Sequence, residues 1–380
     1  MTQQHLGRSL IGMVGALLLA ACNGTVELRT GSARSGGSSE TGGVGGIAPL
    51  GGLGGVGGIA PVGSLGGVGG LAPLGGGGGA LGGTDPVDIG PQPQHGVLAY
   101  DANADALGRA IFIQSFETGC TERLTDPAVQ AKQAAFSADG KQLAYAALVD
   151  GFYQIHVRDL ASGDTQQVTE MPVGASSPAF SPDGSQLAFV TGDPEEFGNR
   201  AAGTGSLLLL DLETHDVRVL SDASTLGCCT PAYLSPVYNG SREILVGTGM
   251  SLVGIDTETG AVRDLVPITG RIPNPQDPSP APDGKRYVFS DYCGRLGLYI
   301  ARIDGSTGDT CGAALPIPTT QTVVSADWGA QGFIAAEIHD QGHGVLLIDD
   351  VDFKIATLDV RTARNPTWAP AGANVNITCK

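Results

Sequence analysis

One phrase recurs along this chain, and a recurring phrase constrains architecture before any single residue constrains function, because each unit must bury its faces against its neighbours. The copies are Phe136-Ser-Ala-Asp139-Gly140-Lys-Gln-Leu143-Ala-Tyr145, Phe180-Ser-Pro-Asp183-Gly184-Ser-Gln-Leu187-Ala-Phe189 and Pro280-Ala-Pro-Asp283-Gly284-Lys-Arg-Tyr287-Val-Phe289, with a looser copy over Leu234–Val246 centred on Asn239-Gly240. In each, Asp-Gly or Asn-Gly stands between two short apolar runs, which predicts a tight turn joining antiparallel strands. A third apolar run follows a polar loop (154–157, 207–210, 252–255, 298–301). A fourth ends near Val168, Val219 and Leu265.

Four strands per unit predict the blade of a β-propeller. The turns at Asp139, Asp183, Asn239 and Asp283 lie 44, 56 and 44 residues apart, one blade each. A degenerate fifth unit starts at Ala326-Asp-Trp328. A sixth, at Pro366-Thr-Trp368, has no room for a whole blade before Lys380. Near residue 95 the chain offers the reverse: Val97–Tyr100, Ala110–Ile113 and Glu122–Thr125 read as second, third and fourth strands lacking a first. The expectation is therefore an all-β, six-bladed propeller over residues 95–380, closed by strand exchange between its ends, which removes sheet edges that would invite aggregation. Both Val97–Tyr100 and Asn374–Thr378 fit the second strand of the closing blade, and the sequence leaves that choice open.

Phe180-Ser-Pro-Asp-Gly-x-x-Leu-Ala-Phe189 resembles the repeat of TolB-type, WD40-like (PD40) propellers, over about three quarters of the chain. The resemblance implies blades but not a role, since related propellers serve as periplasmic binding proteins, as non-catalytic domains of prolyl oligopeptidases and as sugar lyases.

Residues 1–21 read as a secretion signal, with Arg8 ahead of an apolar run at 10–19 that is short for a membrane span. Leu19-Ala-Ala-Cys22 resembles a bacterial lipobox, which implies cleavage before Cys22 and its acylation. Asn23 in place of Asp points, by the same analogy, to the outer membrane. Residues 22–94 are then a tether. Glycine dominates between Gly31 and Gly83, with a twelve-residue period carried by Val44, Val56 and Val68, and such a composition cannot recover its ordering entropy by burial. Its expected reach is about 40–45 Å.

A formal charge of −17 disfavours nucleic acid and allows a basic partner. Besides Cys22 there are six cysteines, an even number that favours disulfides in an exported domain. Fifteen pairings are possible. The similar placing of Cys293/Cys311 and Cys379/Cys120 within their blades favours those two bridges and leaves Cys228 for Cys229. Against it, the end of a second strand and the start of a fourth lie at opposite rims of a blade, beyond bridging distance.

No G-x-S-x-G elbow is present, which excludes a prolyl-oligopeptidase-like catalytic half. His339 and His343 fall short of a four-ligand zinc site, and the aspartates at 304–309 and 349–352 lack the calcium-loop ladder. No metal or cofactor is expected. Asp139, Asp183 and Asp283 read as turn residues, and Trp328 and Trp368 as packed first-strand residues. The longest departures from the repeat, 192–205 and 225–230, suggest a recognition rim. Phe152, Tyr153, Glu195, Glu196, Phe197 and Arg200 are its candidate contact residues.

These observations predict a lipid-anchored, monomeric propeller of the cell envelope that binds an envelope protein or a cell-wall component without catalysis. The competing expectation is a lyase or hydrolase acting in the central funnel.

Overall fold

In the computed structural model the described residues are 92–104, 108–192, 205–222, 235–248, 251–266, 276–292, 296–304, 313–314, 322–339, 344–358, 360–373, 375 and 377. They form six four-stranded antiparallel sheets. Blade I is β4 (Lys132–Phe136), β5 (Gln142–Val149), β6 (Phe152–Asp159) and β7 (Thr165–Gln167). Blade II is β8 (Ala175–Phe180), β9 (Gln186–Thr191), β10 (Leu207–Asp211) and β11 (Val217–Ser221). Blade III comprises β12 (Val237–Asn239), β13 (Glu243–Gly247), β14 (Leu252–Asp256) and β15 (Val262–Val266). Blade IV comprises β16 (Gln276–Pro280), β17 (Arg286–Tyr292), β18 (Leu296–Arg302) and β19 (Ala313–Ala314). Blade V has β20 (Val323–Trp328), β21 (Phe333–Ile338), β22 (Gly344–Asp349) and β23 (Ile355–Leu358).

Blade VI is built from both ends of the described chain: β24 (Arg364–Trp368) supplies its first strand, and β1 (Val97–Asn103), β2 (Arg109–Ser115) and β3 (Thr121–Arg123) the rest. Leu98 pairs with Trp368 and Ala99 with Thr367, so the expected strand exchange is present. The ambiguity over the second strand is resolved for β1. The segment after β24 instead packs its Ala373, Val375 and Ile377 against the apolar layer between blades VI and I.

The period-2 alternation of the strands assigns each face to a different inter-blade core. Leu143, Tyr145 and Ala147 of β5 join Val97, Ala99 and Ile113 between blades VI and I, while Ala144 and Ala146 join Phe180, Leu187 and Phe189 between I and II. The same split repeats around the ring, which is why the middle strands read as unbroken apolar runs: both faces are covered.

The repeated Asp-Gly turns have an asymmetric conformation. Gly140 and Gly184 have φ of +68° and +73°, whereas the aspartates before them stay outside the left-handed region and use their carboxylates instead. Asp139 accepts from Ser137 Oγ at 2.7 Å and from the Lys141 N–H at 3.1 Å. Asp183 does the same with Ser181 and Ser185. The two-residue turn with positive φ at both positions lies elsewhere, at Asp150 (50°) and Gly151 (88°) between β5 and β6.

Candidate functional site

The first strand of each blade faces the ring axis, and these strands line a central funnel with a cavity of about 180 Å³. Each contributes the same three positions: 133–135, 177–179, 235–237, 277–279, 325–327 and 365–367. Five of these strands carry a bulge there. In β4, Lys132 pairs with Ala146 but Ala135 with Ala144, leaving two residues opposite Tyr145. Equivalent shifts occur in β8, β16, β20 and β24.

The bulged residues Gln133, Ser177, Asp277, Ser325 and Asn365 all have positive φ, between 44° and 55°. None is glycine, so each opposes a cost of about 1–2 kcal/mol. What holds them is their neighbours. The Gln133 N–H donates to Asp101 Oδ1 (3.1 Å), that of Ser177 to Gln133 Oε1 (3.1 Å) and that of Asn365 to Glu337 Oε2 (3.2 Å). In each case the acceptor comes from the preceding blade. A bulge lifts its amide out of the ladder, and a buried amide without an acceptor costs about 1–3 kcal/mol, so each blade fixes the next. Proline follows the polar residue at 178, 236, 278 and 366, where the strand edge faces the funnel and needs no donor.

Two residues further along each strand, the funnel divides into halves. Blades I to III present Ala135, Ala179 and Val237; blades IV to VI present Ser279, Asp327 and Thr367. On the polar side Asp327 accepts from Ser279 Oγ (2.7 Å), Thr367 Oγ1 (3.2 Å) and the Trp368 N–H (2.7 Å), tying three blades together. Complete burial pushes its carboxyl above the ordinary range, against those hydrogen bonds. Asp277 accepts from Ser325 Oγ at 3.0 Å and from Ser235 Oγ, bridging blades III, IV and V. Asp101, wholly buried, also accepts from Asn365 Nδ2 (3.0 Å) and lies 3.2 Å from Arg109. Chemically, the funnel offers hydroxyls, amides and two carboxylates already engaged as acceptors.

The predicted recognition rim lies at the end of the blades that carries the β5–β6 turn. Phe152 is 49% exposed and Leu148 37%, side by side on that hairpin. Tyr153 stacks beneath the buried Lys132, whose Nζ is 4.3 Å from the ring centroid. Gly174 passes so close that an added Cβ would meet the Tyr153 carbonyl at 3.2 Å, and its own carbonyl accepts from Gly192 N (2.9 Å). Phe152 and Tyr153 thus stand next to the point where the chain leaves β9. Glu195, Glu196, Phe197 and Arg200 lie outside the described residues, as do Cys22, Cys228, Cys229, Cys293, Cys311, Cys379 and the entire lead segment.

The other candidates resolve into structure. His339 directly follows β21, with Nδ1 3.9 Å from the buried Glu337; His343 is outside the described residues. His156 is half-buried and stacked on Tyr145 at 5.7 Å, and burial lowers its pKa. Trp328 and Trp368 are buried, Trp328 under the Arg286 guanidinium at 4.8 Å. The opposite rim carries the aspartates. Asp159, Asp211, Asp256 and Asp349 end third strands and accept from the two or three amides that follow, so the Asp349–Asp352 run is turn chemistry. The Ser137 hydroxyl, helped by the Lys141 amide, holds Asp139 down at about 2. Much of the negative charge is therefore committed to turns.

No family model and no curated protein matches the chain. Solved structures do. TolB from Acinetobacter baumannii superposes with a TM-score of 0.58 at 15% identity, over 74% of this chain and 68% of that one. A chain of a nidogen/laminin complex gives 0.56 at 11%, over 72% and 98%, and hydrazine synthase of Kuenenia stuttgartiensis 0.55 at 11%, over 75% and 48%. Proteins so different in name share the ring, and at such identities likeness extends to the fold alone. The chain is a six-bladed β-propeller with the fold of TolB.

Proposed function

We propose that this chain is a cell-envelope lipoprotein whose propeller binds another envelope protein or a cell-wall component and performs no chemistry. The observation that carries the reading is the β5–β6 hairpin. A Phe side chain half exposed beside an exposed Leu, on a rigid two-residue turn, is an apolar surface that gains by being covered. It stands on the rim next to the longest insertion in the repeat, where loops on a fixed scaffold serve recognition. The funnel supports the same reading, because its polar groups are spent on holding adjacent blades in register. The envelope address rests on the residues around Cys22 and agrees with the TolB-like fold.

Crosslinking in cells followed by mass spectrometry tests this directly. Phe152→Asp should lose a partner that the unaltered chain captures, by tenfold or more, while leaving thermal stability within about 0.5 kcal/mol, as for other exposed positions. Identical partner lists from both chains would remove the rim from the account.

A further inference from the structure

We propose that a disulfide between Cys120 and Cys379 staples the closing blade, joining the segment after β24 to the turn between β2 and β3. The sequence raises an objection to this pair: the end of a second strand and the start of a fourth lie at opposite rims. The fold removes that objection. The second strand of blade VI is β1, so the segment after β24 never runs to the far rim. It turns at Pro370–Gly372, where Ala373 N donates to Pro370 O at 3.1 Å and Gly372 has φ of +77°. It then crosses to blade I, so closely that a Cβ on Gly140 would collide with Ala373.

Cys120 is at that same rim. Val97, the first residue of β1, pairs with Ser115, the last of β2, and the Ser115 N–H donates to Cys120 O at 2.9 Å. The Ala369 N–H, just past β24, donates to Val97 O at 2.8 Å. Cys120 and Ile377, 6% and 9% exposed, belong to one apolar cluster. Two residues separate Ile377 from Cys379, about 7 Å of extended chain, and a disulfide needs its Cα atoms within about 7 Å. The chain length therefore brings Cys379 within bridging range.

Formation is a thiol–disulfide exchange with a protein disulfide of an oxidising compartment. The two thiols give up two protons and two electrons as the sulfur–sulfur bond forms, and the oxidant is reduced to a dithiol. The bond would make the non-covalent closure of blade VI permanent, enclosing nearly the whole propeller in one covalent loop.

The test is to alkylate the purified full chain before any reduction, digest it and map the cysteines by mass spectrometry. The expected product is a Cys120–Cys379 linked pair that separates on reduction; alkylated Cys120, or Cys120 linked to another cysteine, would overturn the proposal. Cys120→Ser and Cys379→Ser should each lower Tm by roughly 10 °C, from the size of the loop closed, and the double variant should lower it no further. Additive effects would contradict a shared bond, and the mapping decides even if a variant fails to fold.

Discussion

Asp327 shows how a single residue is asked to do two opposed things. It is completely buried, which raises its pKa, and it accepts from Ser279, Thr367 and Trp368, which favour the ionised form. Desolvation wins. A carboxyl with a raised folded pKa is bound more tightly to its proton in the native state, so its contribution to stability is complete below the ordinary carboxylate value. That contribution is lost as pH rises through the raised one. Thermal unfolding followed from acid to neutral pH should show this decline in the parent chain and not in Asp327→Asn, which cannot ionise. Asp327→Ala, by contrast, leaves the Trp368 amide without its acceptor and should cost about 1–3 kcal/mol at every pH. Equal behaviour of the two variants would mean that Asp327 holds nothing.

At the scale of the strand, the legible and the illegible parts separate by how local their causes are. Asp139-Gly140 and its copies could be read because a turn is decided by the few residues that form it. The bulges could not, since Gln133, Ser177, Asp277, Ser325 and Asn365 share no side chain and their amides are satisfied from the preceding blade. A trace was present. A polar residue stands before proline at 178, 236, 278 and 366, and an aromatic stands three residues after the polar one at 136, 180, 238, 328 and 368. The rim was half legible: Phe152 and Tyr153 follow an Asp-Gly turn, yet only the fold places them beside Gly174 and Gly192. The middle strands are the least tolerant elements. Phe289 of β17 is fully buried between blades III and IV, packed on Tyr287 and Tyr299 at 5.5 and 5.9 Å. Phe289→Ala should cost about 3–5 kcal/mol in denaturant unfolding, whereas Val219→Thr on the exposed outer strand β11 should lie within about 0.5 kcal/mol. Similar losses from both would show that the inter-blade layers do not carry the stability.

The whole molecule depends on one join. Five blades are continuous in sequence, while blade VI is assembled from β24 and β1–β3, whose contacting residues are more than 250 positions apart. The buried carboxylates Asp327, Glu337 and Asp101 gather around this join and hold the backbone or side chains of β24. Corresponding positions in blades I and II are apolar: Ala135 and Ala179 match Asp327, and Ala146 and Val190 match Asp101 and Glu337. Closing a long loop carries an entropic cost that the final strand must offset, and polar groups also give it a single register. Hydrogen exchange read by mass spectrometry on the peptide containing Arg364–Trp368 is the most direct check. If the ring is closed as described, these amides exchange as slowly as those of β1 and β2, through global unfolding alone. Exchange as fast as a frayed chain end, with β1 still protected, would mean that β24 does not complete the sixth blade.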